Sequence, residues 1–143
     1  MVNPEFEIRP SVLVGDTADV SLQRTLTVLR NEGLNPTVTV EYFANNPGVF
    51  SGIKEIKLLL AKILPEVGVE VWAIDEGEKM VKNEVSLRIK APYSSFGLYD
   101  TAICGTLSSS SSWSTAANQC VEAANGIPVI CTGSKYVHPL ISS

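Results

Sequence analysis

Apolar and polar positions divide this chain into elements before any chemistry is considered. Val20, Leu22, Leu26, Val28 and Leu29 recur at helical spacing behind the N-cap types Asp16, Thr17 and Asp19, and Gly33 stops the pattern. Thr37–Phe43 alternates with period two, which places Val38, Val40 and Tyr42 on one side of a half-buried strand. NNPGVFSG reads as a turn, after which Ser51 is positioned to cap a second helix. Ile53, Ile56, Leu59, Leu60 and Ile63 share one face of that helix, and Pro65 ends it. Three short strands are predicted next, Val67–Ile74, Glu78–Lys82 and Val85–Lys90, joined at Asp75-Glu76-Gly77 and Asn83-Glu84. The expected class is α+β, an N-terminal α/β sandwich domain with helices on a mostly antiparallel sheet.

After Pro92 the pattern changes. Phe96–Ser111 and Trp113–Ala124 carry Ala, Leu and Ile among small residues and predict two well-buried helices, punctuated by Asn125-Gly126. IPVICT is then continuously apolar, as strands buried on both faces of a parallel sheet are. Only eleven residues follow Thr132, so a second unit is expected to open and be cut short. This divides the chain into residues 1–127, the sandwich domain with its linking helices, and 128–143, the first strand and loop of an incomplete barrel.

Composition narrows the functional classes. The 143 residues suffice for one domain with a real core, and 45% hydrophobic against 18% charged residues excludes a charge-solvated disordered polymer. A formal charge of −4 argues against nucleic-acid binding through a basic surface. Ile56–Leu64 is broken by Lys57 and Lys62, so no membrane helix is predicted. Glu5, Glu7 and Arg9 stand where a signal peptide would be apolar, which makes the cytoplasm the default location. Cys104, Cys120 and Cys131 are odd in number and lack C-x-x-C spacing, against both a disulfide framework and a structural zinc site. His138 is the lone histidine, six residues from the end in sequence, and makes a self-contained hydrolytic triad a poor reading.

Single motifs are weak. Ser108–Ser112 could be a linker, but between apolar helical stretches it reads better as close helix packing by small side chains. EGEKMVKNEVSLRI faintly resembles a biotinyl or lipoyl carrier around Lys79, and a structural hairpin is the better reading. Gly133-Ser134-Lys135 behind an apolar strand lets a backbone and a lysine approach an anion, although such a turn is often only a turn.

Taken together, the residues carry more. PYSSFGLYDTAICGTLSSSSSWSTAANQCVEAANGIPVICTGSKYVHP resembles the central signature of nicotinate phosphoribosyltransferases. Their pattern is PY-x-x-FG-x-YETA-x-LG, a helix around SGIAT-x-AAR, then PV-x-x-FGARR-x-HP. EVWAIDEG, EVSLRIKAPY and ADVSLQRT match further pieces, so the likeness runs from about Gly15 to Pro139. It implies a sandwich domain followed by an α/β barrel whose first strand is Val129–Thr132. A barrel of that type takes about 250 residues, so only its opening is expected here.

The resemblance implies a reaction of nicotinate with phosphoribosyl pyrophosphate to nicotinate mononucleotide, driven by ATP through a phosphohistidine with Mg2+ on the phosphates. The phosphohistidine region is expected outside this chain, so no catalytic residue and no metal ligand is assigned. The fragment alone is expected to bind neither cofactor and to be inactive. The implied substrate-binding positions are Ser21, Thr132, Gly133, Lys135 and His138. Two depart from the family's rings: Ser21 replaces a tyrosine offered by a neighbouring subunit, and Thr132 replaces a phenylalanine. Lys135 and Tyr136 replace paired arginines, which keeps one charge and loses the bidentate fork. Asp19, Arg24, Gly133 and His138 are retained. The implied partners are the two substrates and a second copy or the missing barrel portion. A non-catalytic degenerate paralogue, acting as a binding or regulatory module, is the alternative. A third reading is a transferase for another ring, with Tyr136 as the stacking surface.

Overall fold

The structure, a computed structural model, describes residues 7–135. Its helices are α1 (Pro10–Leu13), α2 (Val20–Asn31), α3 (Ile53–Ile63), α4 (Tyr93–Phe96) and α5 (Asp100–Ala124). Its strands are β1 (Thr37–Phe43), β2 (Gly48–Val49), β3 (Glu70–Ala73), β4 (Lys79–Met80) and β5 (Val85–Pro92), and a 3-10 turn covers Gly133–Lys135. The arrangement is α+β, as the pattern predicts.

Strand β5 is the centre of an antiparallel sheet of order β1-β5-β3, with Val40 and Val71 both opposite Ile89 and with Tyr42 and Ala73 both opposite Leu87. Leu87, Ile89 and Ala91 are completely buried on one face, while Arg88 and Lys90 point to the other. The inner face packs with Ile53, Ile56, Leu59 and Leu60 of α3 and with Phe50, Met80, Phe96, Ile103 and Leu107 into one cluster. Burying an aliphatic or aromatic side chain of this size contributes about 1.5–3 kcal/mol, so this cluster holds the domain together. On the outer face Arg88 meets Glu41 at 2.7 Å and lies 6.0 Å from the Trp72 ring centroid, and Lys90 meets Glu70 at 2.7 Å. A polar outer face over an apolar inner one is the usual division of an antiparallel sheet.

Several expectations are corrected. The turn over residues 45–52 contains the short strand β2, and β4 pairs with it rather than with β3 or β5, so the segment after Glu76 is not a local hairpin. Strand β3 spans only Glu70–Ala73 of the predicted Val67–Ile74. Only Leu22, Leu26 and Leu29 of α2 turn inward; Val20 and Val28 are exposed. Ser51 does not cap α3: Gly52, at φ +97°, is the N-cap residue, and Glu76 supplies the side chain.

The two helices predicted beyond Phe96 are one helix of 25 residues, with Ile103, Leu107 and Ser111 buried. Nothing between Ser108 and Ser112 removes an amide or forces a positive φ, so the serines carry the helix through. They also let it pack closely. Ser111 Oγ accepts from Ser51 N at 3.0 Å and donates to Ser51 O at 3.2 Å, and a Cβ at Gly52 would lie 3.0 Å from Ser110 Oγ. Finally, Val129–Thr132 forms no strand. A strand exists only against a neighbour, and the described residues offer it none.

Candidate functional site

Asp19 begins the amino-terminal part of the predicted site. Its carboxylate caps α2 by accepting from Ser21 N at 2.7 Å, and the Ser21 hydroxyl first, then this amide, hold its pKa below the ordinary value. Asp19 N in turn donates to Thr101 Oγ1 at 3.2 Å, tying the start of α2 to the start of α5. Ser21 and Arg24 are exposed on the helix this cap fixes.

At the other end, Thr132 is exposed and its carbonyl accepts from Lys135 N at 3.1 Å, closing the 3-10 turn. A Cβ at Gly133 would come within 3.3 Å of Cys131 Sγ and 3.7 Å of the Trp113 ring, so the turn lies back against α5. Lys135 is exposed. The structure therefore brings Thr132, Gly133 and Lys135 together, and among the described residues no hydrogen bond or ion pair joins Ser21 to them. His138 lies outside the described residues.

A cavity of about 660 Å³ lies elsewhere. One wall is the face of α5 bearing Cys104, Ser108, Ser112, Thr115 and Gln119; the other is Tyr42 with the loop from Phe43 to Gly48. Tyr42 Oη donates to Asp100 at 2.8 Å, and burial first, then the Asp100 carboxylate, pushes the phenol pKa far up. Burial, with Asp100 adding to it, also raises the Cys104 thiol. The lining offers hydroxyls, amides and the Glu41 carboxylate, and no basic side chain. It has nothing with which to neutralise a pyrophosphate. Sequence reading missed this cavity, although hydroxyls three and four residues apart from Ser108 to Thr115 were its available signal.

Glu76 was also missed as a site of convergence. Its carboxylate accepts from Ser51 Oγ at 2.5 Å, Gly52 N at 2.8 Å, Ile53 N at 3.1 Å and Lys54 N at 3.4 Å. Partial burial works against ionisation there, and these donors outweigh it, leaving the pKa below the ordinary value. This is an occupied anion position at a helix start, filled from within.

Residues 19–111 match the family described as quinolinate phosphoribosyl transferase, N-terminal domain, and the chain belongs to it. The family shown is thus the quinolinate one, and the finer nicotinate assignment from the sequence is a separate question. Nicotinate-nucleotide pyrophosphorylase from Pyrococcus furiosus is similar over 99% of this chain, at 30% identity and a TM-score of 0.84. The chain spans 37% of that protein's length. The pyrophosphorylase from Francisella tularensis, at 9% identity over 65% of this chain and 35% of its own, has a TM-score of 0.47, too remote to bear on the fold. Among the described residues, no helix is long and apolar enough to cross a membrane.

Proposed function

We propose that this chain is the N-terminal part of a phosphoribosyltransferase of pyridine-nucleotide synthesis that joins nicotinate to phosphoribosyl pyrophosphate. The likeness to the Pyrococcus furiosus nicotinate-nucleotide pyrophosphorylase along nearly the whole chain supports the phosphoribosyltransferase reading most, and the choice of nicotinate rests on the sequence signature. In the reaction the pyridine nitrogen bonds to the anomeric carbon, the bond from that carbon to pyrophosphate breaks, and nicotinate mononucleotide and pyrophosphate result. Such a displacement gains from holding the ring in line and from neutralising the leaving group.

In this reading Lys135, on a turn whose glycine leaves the backbone bare, faces the carboxylate of the pyridine. Ser21, exposed on α2, serves a neighbouring copy. Thr132 opens the same turn, and the resemblance assigns His138, outside the described residues, to substrate binding as well. Neutralising pyrophosphate and coupling to ATP fall to the length of enzyme that this chain does not span. Among the described residues no three carboxylate or thiol side chains converge.

The family's own name supports a second substrate, quinolinate, which carries one more carboxylate. Both readings are tested with one protein, a chimera in which this chain replaces the matched 37% of the Pyrococcus furiosus enzyme. Mononucleotide from nicotinate and not from quinolinate is expected; the reverse preference replaces the substrate. A folded, inactive chimera would favour the non-catalytic module. The chain alone, given nicotinate, phosphoribosyl pyrophosphate, Mg2+ and ATP, is expected to form no mononucleotide above blank, and turnover would place the machinery within it.

A further inference from the structure

Helix α2 carries Ser21, which the reading above offers to a neighbouring copy, and the core does not hold this helix. None of its residues is buried; Leu22, Leu26 and Leu29 are half-buried and the others are exposed. Its fixed points lie at its two ends. Before the helix, Asp19 N donates to Thr101 Oγ1 at 3.2 Å, and Tyr99 Oη donates to Leu13 O at 3.1 Å. Gly15, at φ +81°, sits so close to Leu98 that a Cβ there would overlap the leucine side chain. After the helix, Ser94 N donates to Asn35 Oδ1 at 3.2 Å and Tyr93 N to Pro36 O at 2.9 Å. One stretch, residues 92–101, therefore meets both ends, and its 3-10 turn Gly97–Tyr99 also packs on the helix.

That stretch is itself seated in the core. Phe96 within it and Ile103 just beyond it are buried, and Asp100 accepts from Tyr42 Oη of β1 at 2.8 Å. Three consecutive side chains thus tie three places together: Tyr99 the end of α1, Asp100 the sheet, and Thr101 the start of α2. Thr101 and Asn35 are exposed. Hydrogen bonds at exposed positions add little to the stability of a fold, but they fix the place of what they hold.

We propose that residues 92–101, the PYSSFGLYDT stretch, are a cradle that sets the position of α2 for the substrate site. Leu98, Tyr99 and Thr101 are its positioning residues at the start of the helix, and Tyr93 and Ser94 those past its end. The substrate half of this rests on the proposed function, in which Ser21 serves a neighbouring copy. The cradle itself rests only on the contacts at the two ends of α2.

Hydrogen exchange and kinetics decide together. In the free chain, Thr101→Val and Asn35→Ala are each expected to speed exchange of the α2 amides about tenfold, with β5 and the urea midpoint unchanged. In the chimera described above, the same variants are expected to raise KM for the pyridine acid it uses about threefold or more, with kcat within about twofold of the parent. Thr101→Ser, which keeps the hydroxyl, should restore both readouts. Unchanged exchange in both variants overturns the proposal, and so does faster exchange with KM unmoved. Ser21→Tyr separates the proposal from the reading beneath it. If Ser21→Tyr lowers KM while Thr101→Val leaves it alone, α2 serves the site without the cradle, and only the proposal fails. If neither variant moves KM, α2 does not reach the substrate, and the role given to Ser21 falls. An inactive chimera defeats the assigned activity and the substrate half with it, while exchange in the free chain still decides whether the stretch holds α2.

Discussion

Removing the Glu76 carboxylate tests whether a turn between two short strands holds the start of α3. Four donors meet it, three of them backbone amides that the first turn of a helix cannot satisfy internally. The bonds at 2.5, 2.8 and 3.1 Å are well formed, whereas the one at 3.4 Å is marginal. A hydrogen bond to a charged group contributes about 1.5–3 kcal/mol, but these share one carboxylate that is only partly buried, so they do not add in full. Loss of an N-cap side chain typically costs about 0.5–2 kcal/mol, and loss of a negative charge at a helix start a further 0.3–1 kcal/mol or so. Glu76→Ala should therefore destabilise by about 1–3 kcal/mol and Glu76→Gln, which keeps acceptor and shape, by less, about 1 kcal/mol at most. The carboxyl's folded pKa lies below its ordinary 4.5, so its contribution is complete above that value and is lost as pH falls through the folded pKa. Urea unfolding at pH 7 and at a series of pH values below 4.5 measures both effects. A Glu76→Ala variant within about 0.5 kcal/mol of the parent, or one whose acid sensitivity matches the parent's, would show that α3 is held by its apolar face alone.

Two further outcomes follow from the packing and the site. Ile103→Ala, at a completely buried position facing the sheet, should cost about 2–5 kcal/mol by denaturant titration, and a cost under 1 kcal/mol or so would mean that α5 is not seated as described. In the chimera, Lys135→Ala should weaken nicotinate binding by about 1.5–3 kcal/mol if the ammonium meets the carboxylate, while Ser21→Tyr with Thr132→Phe should strengthen it by restoring two stacking faces. Calorimetry showing unchanged affinity in both would leave Lys135 an ordinary surface lysine.

What the sequence determined by itself is what local rules govern. The period-two alternation of Thr37–Phe43 and Val85–Lys90, the inward face of Ile53, Ile56, Leu59 and Leu60, the Asp19 cap and the pre-proline end of α3 at Ile63 all depend on neighbours within a few residues. The family-wide spacing of PYSSFG and its continuation was likewise readable, and carried the class of protein before any coordinate. Tertiary structure alone decided the rest. Which strand β4 joins depends on β2 arriving from thirty residues away, and two-residue strands leave no periodicity to read. Ser51 looks like a cap because capping residues are recognised locally, yet a carboxylate from Glu76 reaches the same amides and holds a full charge there. The continuously apolar Val129–Thr132 has the composition of a buried strand and lies exposed, because composition can state a preference for burial while only a neighbouring surface can provide it.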